Sequence, residues 1–290
     1  MSDYRLENNE FIIENYDSKA PFTSFLPGLT GKDGIPLWSF YVNRGQCLTS
    51  FGIEKKENPI MEFQPAVIAY ENTSLKGFRT FIRKNDEYFE PFSVNYDAKV
   101  KRTMRIKANS FRIIETDYTH NFKTEITYFI LPHEPFGALV RNVTFTNLGE
   151  EADFEILDGM SRIIPYGIPG TKFTTMANLM RSYNTVSNLK NDVPLFFSRI
   201  ESDDAAEMKE NVGGYYYMCF DNNGTICPIY DPCALFENET SLQFPINFIM
   251  HGLKFVAGYS QHFTNKISCA FAPVAKKLST NQNYTLSTLC

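Results

Sequence analysis

Apolar and polar residues alternate with a period of two along much of this chain, as they do in half-buried strands. The alternation is clearest at residues 103–108 and 139–145, and similar short runs occur at residues 77–83, 111–116, 124–130 and 263–271. Turn-forming residues separate these runs, for example at residues 131–135 and 147–151. Regularly spaced short strands with turns between them indicate an antiparallel sandwich or barrel rather than βαβ units. The pattern therefore predicts an all-β fold.

One segment departs from this pattern. Between residues 174 and 189 the apolar side chains recur at helical spacing, with Thr174 or Thr175 as a suitable N-cap. We expect a helix packed on the outside of the sheet, with its stripe buried against a sheet or a neighbouring domain. The stripe consists of Met176, Leu179, Met180, Tyr183 and Val186.

Three further segments are interpreted as strands. Residues 63–70 are apolar, but Pro65 limits them to an edge strand or a strand start. Residues 255–259 and 284–290 also have strand character. No internal repeat and no linker divides residues 1–290, which predicts a single domain. Because the chain stops inside an apolar strand, we expect this domain to be part of a longer protein.

Residues 24–53 contain the densest group of turn residues, followed at once by Trp38, the only tryptophan. Closely spaced glycines and prolines mark a multi-turn loop that leads into a strand or hairpin. One interpretation is a structural corner of a β domain. The other is a loop that presents Trp38, Tyr41 and Arg44 to a polar ligand such as a sugar.

Charge, hydropathy and cysteine spacing bear on the class of ligand and on the cellular compartment. The net charge of −5 gives no basic excess for nucleic acid, and no apolar run approaches the roughly 20 residues that span a bilayer. The N-terminus lacks the pattern of a secretory signal, so we expect a cytoplasmic protein with reduced cysteines. Cys219, Cys227 and Cys233 cluster without a CxxC pair, which does not favour a zinc site.

No nucleophile elbow, phosphate loop or dinucleotide motif is present. The four histidines (His120, His133, His251 and His262) lack metal-type spacing. Asp158 and Glu134 are the carboxylates in the most structured loop-like surroundings, but spacing alone does not make them a glycosidase pair. Arg162 and Tyr166 flank a Pro/Gly turn at residues 165–170 and are either ligand contacts or structural loop residues.

Four blocks of the chain are distinctive as sequence: SFLPGLTGKDGIPLWSFYVNRGQCLTSFGI at 24–53, FQPA at 63–66, GFRTFIR at 77–83, and LPHEPFGALVRNVTFTNLGEEADFEILDGMSRIIPYG at 131–167. They carry a resemblance to the N-terminal region of glycoside hydrolase family 94, the cellobiose phosphorylase family, and within it to the 1,2-β-oligoglucan phosphorylases. It implies that residues 1–290 form a large antiparallel β-supersandwich with one or two short helices. The catalytic (α/α)6 barrel would lie in a missing part of the protein.

The family's chemistry is inverting phosphorolysis, so the resemblance implies phosphate-dependent cleavage of β-glucosides, β-1,2-linked ones above all, to α-glucose 1-phosphate. The family's catalytic acid lies in the barrel, so no residue here is assigned a catalytic role. Inorganic phosphate is the implied co-substrate, with no other cofactor and no metal. The implied partners are a β-linked gluco-oligosaccharide, the barrel and a second copy of the chain.

Within this scheme, loops 24–46 and 159–170 are the candidates for reaching the acceptor side of the active site. The substrate-binding candidates are Trp38, Tyr41, Arg44, Arg162 and Tyr166. Two alternatives stay open: a non-catalytic carbohydrate-binding module, and a structural domain whose aromatic surface is only an interface.

Overall fold

The computed structural model describes residues 3–94, 99–201 and 207–290, and it confirms the all-β prediction. In these ranges twenty strands form four antiparallel sheets. The strands are β1 (Tyr4–Glu7), β2 (Glu10–Glu14), β3 (Thr23–Phe25), β4 (Leu37–Val42), β5 (Leu48–Ile53), β6 (Pro59–Met61), β7 (Phe78–Lys84), β8 (Glu87–Phe89), β9 (Val100–Ile106), β10 (Ser110–Asp117), β11 (Phe122–Ile130), β12 (Leu139–Asn147), β13 (Ala152–Ile163), β14 (Asn184–Ser187), β15 (Leu195–Ser198), β16 (Tyr215–Tyr216), β17 (Met218–Asp221), β18 (Gly224–Ile226), β19 (Ser268–Leu278) and β20 (Asn283–Leu289).

Four α-helices lie between the strands of the described ranges, where the sequence predicted one or two. None of them is long and apolar enough to cross a membrane. They are α1 (Ala66–Lys76), α2 (Gly170–Met180), α3 (Cys233–Phe236) and α4 (Ile246–Ala257), with 3-10 turns at Tyr16–Ser18, Arg181–Tyr183 and Leu189–Asn191.

The largest sheet has nine strands in the order β1-β2-β9-β10-β11-β12-β20-β17-β18. Its central strands alternate between buried and half-buried side chains, as the period of two predicts. The register places four fully buried residues in one row across four strands: Ile113, Ile126, Val143 and Leu286. Cross-strand rows of this kind stabilise a sheet and fix its register.

A second sheet, in the order β19-β13-β7-β8, packs on the first and is buried on both faces. Phe78 and Ile82 belong to the main core between the two sheets. Phe81 points the other way and stacks on Phe271, in a separate core that α3 and α4 complete. This second core explains why β7 shows no solvent-facing side in its first five residues.

Two smaller sheets, β3-β4-β5-β6 and β14-β15-β16, complete the architecture. Three strands of the first of them, β3, β4 and β5, come from the stretch at residues 24–53, and its Gly/Pro-rich part forms the loop between β3 and β4. That stretch contacts the loop before β12, since the His133 amide donates to the Thr30 carbonyl at 2.7 Å. The two blocks that carried the family resemblance most strongly therefore lie side by side.

Two strand predictions were wrong because the segments belong to helices. Residues 63–70 enter α1, where Pro65 precedes the first helical residue and needs no helical N–H donor there. Ala69 and Thr73, four residues apart, form its buried side. Residues 255–257 belong to the last turn of α4, which ends at Ala257 and is followed by Gly258.

The helix expected at residues 174–189 is confirmed only as far as Met180, and it begins at Gly170 rather than at Thr174 or Thr175. Its stripe is not continuous, because Met176 has non-helical backbone angles. Met176 and Leu179 are 44% and 48% exposed, so the prediction that they are buried was wrong. Met180 is buried as predicted.

The last two members of the predicted stripe lie beyond the helix. Tyr183 is half-buried in a 3-10 turn, and Val186 is buried in β14.

Candidate functional site

The predicted site residues do not form one cluster. Trp38 lies on β4, where its ring contacts Phe63 edge-on at a centroid distance of 5.7 Å. Its indole N–H donates to the Lys55 carbonyl at 2.8 Å. A Cβ at Gly52, directly across on β5, would lie 2.6 Å from the indole, so this close approach requires glycine. The half-buried Trp38 therefore stabilises the sheet β3-β4-β5-β6 through its contacts with Phe63, Lys55 and Gly52.

Tyr41 does not share that surface. It is 4% exposed and stacks on Phe111 at 4.4 Å inside the main core. Residues three apart on a strand point to opposite faces, and Tyr41 is in phase with the buried Leu37 and Ser39 of β4. The expectation that Tyr41 meets a ligand is thereby corrected.

Arg44 lies on the turn between β4 and β5, with its guanidinium 5.1 Å from the centre of the Tyr70 ring. Its Nε is buried and has no hydrogen-bond partner among the described residues. Two core tyrosines hold this turn from below: the hydroxyl of Tyr16 donates to the Gly45 carbonyl, and that of Tyr128 to the Gln46 carbonyl. Arg44 is therefore presented on a fixed turn.

Beneath that turn lies a closed ring of hydrogen bonds, which we call the buried ring: Gln46, Thr80, Arg141 and Asp158. Arg141 donates to the Asp158 carboxylate through both terminal nitrogens, and to Gln46 Oε1 at 2.6 Å. Gln46 donates to Thr80, and Thr80 donates to Asp158. Arg141 and Asp158 have no exposed surface.

The buried ring connects both large sheets to the turn at residues 43–47. Asp158 was expected in a loop, but it lies on β13 in the centre of the sandwich, where no substrate reaches it. Glu134 does lie in an exposed loop. These two carboxylates therefore do not face a common bond. In the described ranges no group of three or more His, Cys, Asp or Glu side chains is arranged to hold a metal ion.

Tyr166 opens onto a surface cavity of about 370 Å³, which we call the tyrosine pocket. Tyr166 is 40% exposed, and its ring meets that of Tyr215 edge-to-face at 5.5 Å. The pocket is lined by Asn58, Tyr166, Gly167, Ile168, Pro169, Lys172, Glu201, Asn211 and Tyr215.

Local backbone contacts hold the tyrosine pocket open. The Tyr166 amide donates to the Phe196 carbonyl, and the Ser198 amide donates to the Tyr166 carbonyl. Both backbone polar groups of Tyr166 are therefore paired with β15. Gly167 adopts a φ of +85°, and a Cβ there would collide with the Asn211 amide. Glycine is required at this position because of both the backbone angle and the close contact.

Arg162 lies four residues before Tyr166 but lines a different space, which we call the arginine cavity. Its volume is about 20 Å³, and it shares no lining residue with the tyrosine pocket. The Arg162 guanidinium stacks on Phe173 at 4.8 Å and lies 3.5 Å from Glu62. The cavity is lined by Thr49, Met61, Glu62, Gln64, Ala69, Asn72, Thr73, Lys76, Gly77 and Arg162.

Sequence reasoning found Tyr166 and Arg162 from the Pro/Gly turn beside them, but it missed their partners. Tyr215 begins an aromatic run in the sequence, but no local feature of that run links it to Tyr166. Glu201, Asn211 and Asn58 carry no local signal, because they approach Tyr166 only after the chain folds.

Comparison with known proteins found similarity to solved structures. No protein-family model and no curated protein matches the sequence. Among solved structures, the chain is similar to a polysaccharide lyase, with a TM-score of 0.45 and 12% identity over 88% of this chain and 32% of the other. It is also similar to a candidate kojibiose phosphorylase from the human microbiome, with a TM-score of 0.37 and 9% identity over 99% and 32%. The chain thus spans about a third of each of these proteins.

Proposed function

We propose that the tyrosine pocket binds a sugar unit of a β-linked gluco-oligosaccharide. The observation that carries this proposal is the combination of two aromatic rings with charged and amide side chains around one open cavity of about 370 Å³. The face of a pyranose ring is apolar and packs on aromatic rings, while its hydroxyls need donors and acceptors. Lys172, Glu201 and Asn211 supply both kinds of group.

The surrounding domain fits the sandwich part of an inverting glycoside phosphorylase, which the sequence blocks at 24–53 and 131–167 resemble. In that enzyme an acid protonates the glycosidic oxygen while inorganic phosphate attacks the anomeric carbon from the opposite face, as water does in an inverting hydrolase. The acid and the phosphate site belong to the catalytic barrel. The role of this domain is to pack on the barrel and to hold the acceptor sugar, in the cytoplasm where phosphate is available.

A non-catalytic carbohydrate-binding module is the second candidate, since the tyrosine pocket alone requires no catalytic partner. The two are separated by assaying phosphate-dependent release of glucose 1-phosphate from sophorose by a protein in which this chain adjoins an (α/α)6 barrel. We expect activity in that protein and none in residues 1–290 alone. Inactivity of the longer protein on every β-linked glucan would leave the binding module as the function.

Sugar binding itself is tested by titrating the chain with sophorose and cellobiose in calorimetry, with maltose as the α-linked comparison. Tyr166→Ala should weaken binding about tenfold, because a stacked ring contributes roughly 1–1.5 kcal/mol. The matched control is Tyr118→Ala, which removes a 57% exposed tyrosine outside the pocket lining. Equal affinities in both variants would exclude the tyrosine pocket as the sugar site.

A further inference from the structure

Arg162 is a largely buried cation with one unpaired hydrogen-bond donor. Only 19% of its side chain is exposed, yet its Nε has no hydrogen-bond partner among the described residues. The nearest carboxylate oxygen, on Glu62, is 3.5 Å from one terminal nitrogen, which is too long for a good charge-assisted hydrogen bond. A guanidinium carries five N–H donors, and leaving buried donors unpaired is costly. The arginine cavity is therefore lined by a buried donor that has no acceptor among the described residues.

The charge around the arginine cavity points to an anion as that acceptor. Arg162 and Lys76 contribute two positive charges to its lining, and Glu62 contributes one negative charge. Burial lowers the pKa of Lys76, and the charge of Arg162 lowers it further, so the two cations sense each other. The Asn72 and Gln64 side chains add amide N–H donors to the same lining. A neutral occupant would leave the excess positive charge in place.

The size of the cavity restricts the occupant. A volume of about 20 Å³ is close to what one water molecule needs, roughly 10–15 Å³, and leaves no room for a complete phosphate or acetate. Met61, Ala69 and Gly77 close parts of the wall with apolar surface. The space thus suits a single spherical ion rather than a branched oxyanion.

We propose that the arginine cavity is a binding site for one monatomic anion, with chloride as the cellular ligand, held by Arg162 and Lys76. This site is independent of the sugar proposed for the tyrosine pocket. An ion there would tie together four elements: α1 through Lys76, β13 through Arg162, β6 through its neighbour Glu62, and α2 through Phe173, which stacks on Arg162. Since α2 also carries Lys172 of the tyrosine pocket, the anion would stabilise one wall of that pocket.

The test is thermal unfolding of the chain in sodium chloride against sodium gluconate at constant ionic strength. With chloride at about ten times its Kd, the expected rise in Tm is roughly 2–4 °C and saturates with concentration. Arg162→Met and Lys76→Met should each abolish the rise. Arg44→Met is the matched control, since Arg44 also stacks on an aromatic ring and has an unpartnered Nε but does not line the cavity. It should keep the full response.

A direct readout uses crystals of the unmodified chain grown in sodium bromide, where an anomalous peak is expected within hydrogen-bonding distance of the Arg162 guanidinium. This measurement remains decisive if a variant fails to fold. An equal chloride response in Arg162→Met and Arg44→Met would overturn the proposal. So would a response to phosphate alone, or bromide crystals with no peak at Arg162.

Discussion

Arg141 and Arg162 have similar surroundings at first sight but differ in how their charges are compensated. Arg141 is fully buried and Arg162 is largely buried, and both guanidinium groups lie over a phenylalanine ring, Phe78 at 4.9 Å and Phe173 at 4.8 Å. Arg141 also donates to the Asp158 carboxylate, to Gln46 and to the Tyr128 hydroxyl. Among the described residues, the carboxylate nearest to Arg162 is that of Glu62, at 3.5 Å.

The pKa values of the two arginines shift in opposite directions for this reason. Burial acts to lower the pKa of Arg141, but the charge of Asp158 more than compensates and the pKa is raised. Burial also lowers the pKa of Arg162, and there Glu62 opposes it too weakly to reverse the shift. An aromatic ring covers the face of a guanidinium, whereas only acceptors at its edge offset the loss of water. The first arginine is thus a completed structural element and the second an open site.

The largest effect is expected when the buried ring is broken. Arg141→Met should lower the free energy of unfolding by about 3–5 kcal/mol, because Asp158 would be left charged and unpaired in the core. Urea denaturation followed by tryptophan fluorescence measures this loss, with Trp38 as the only tryptophan.

The partner substitution serves as the control for that experiment. Asp158→Asn removes the negative charge, so the double variant Arg141→Met with Asp158→Asn should be more stable than Arg141→Met alone. A double variant that loses the sum of both single losses would show that the charge pair is not what holds the buried ring together.

The sequence pattern indicated the core-facing position of one member of the buried ring, Arg141, but not its hydrogen-bond partners. The alternation at residues 139–145 puts position 141 in phase with Leu139, Val143 and Phe145, so the sequence shows an arginine on the core-facing side of this strand. Its partners could not be predicted, because Gln46, Thr80 and Asp158 come from a turn and two strands far apart in the chain. Period-two patterns identify faces of strands, whereas the closing of a ring depends on how sheets stack.

The same limit applies to the candidate sites. Tyr166 and Arg162 were identified because a Pro/Gly turn is a local feature, but the lining of each cavity comes from several distant segments. Tyr41 was grouped with Trp38 as a ligand contact, although the alternation of side chains along a strand is enough to place the two on opposite faces. The helices α1 and α4 were missed because short apolar runs do not distinguish a strand from a buried helix face.

A smaller effect is expected from Arg162→Met measured in gluconate, without chloride. Its loss should stay within about 1 kcal/mol, because the partly exposed contact with Glu62 contributes little and methionine can still pack on Phe173. Urea denaturation under the conditions used for Arg141→Met gives the comparison. A loss as large as that of Arg141→Met would mean that Arg162 is already fully compensated in the folded protein and that the contrast between the two arginines is false.

The smallest expected effect is a change in the pKa of Lys76, followed by ¹³C NMR of its side chain during a pH titration. Burial and the positive charge of Arg162 both lower this pKa, whereas Glu62 raises it. Arg162→Met should therefore raise the pKa of Lys76 towards its ordinary value, and Glu62→Gln should lower it further. Shifts in the same direction in both variants would show that Lys76 responds to altered packing rather than to the two charges. The opposite signs thus report whether the arginine cavity acts as one electrostatic unit, which the binding of an anion there requires.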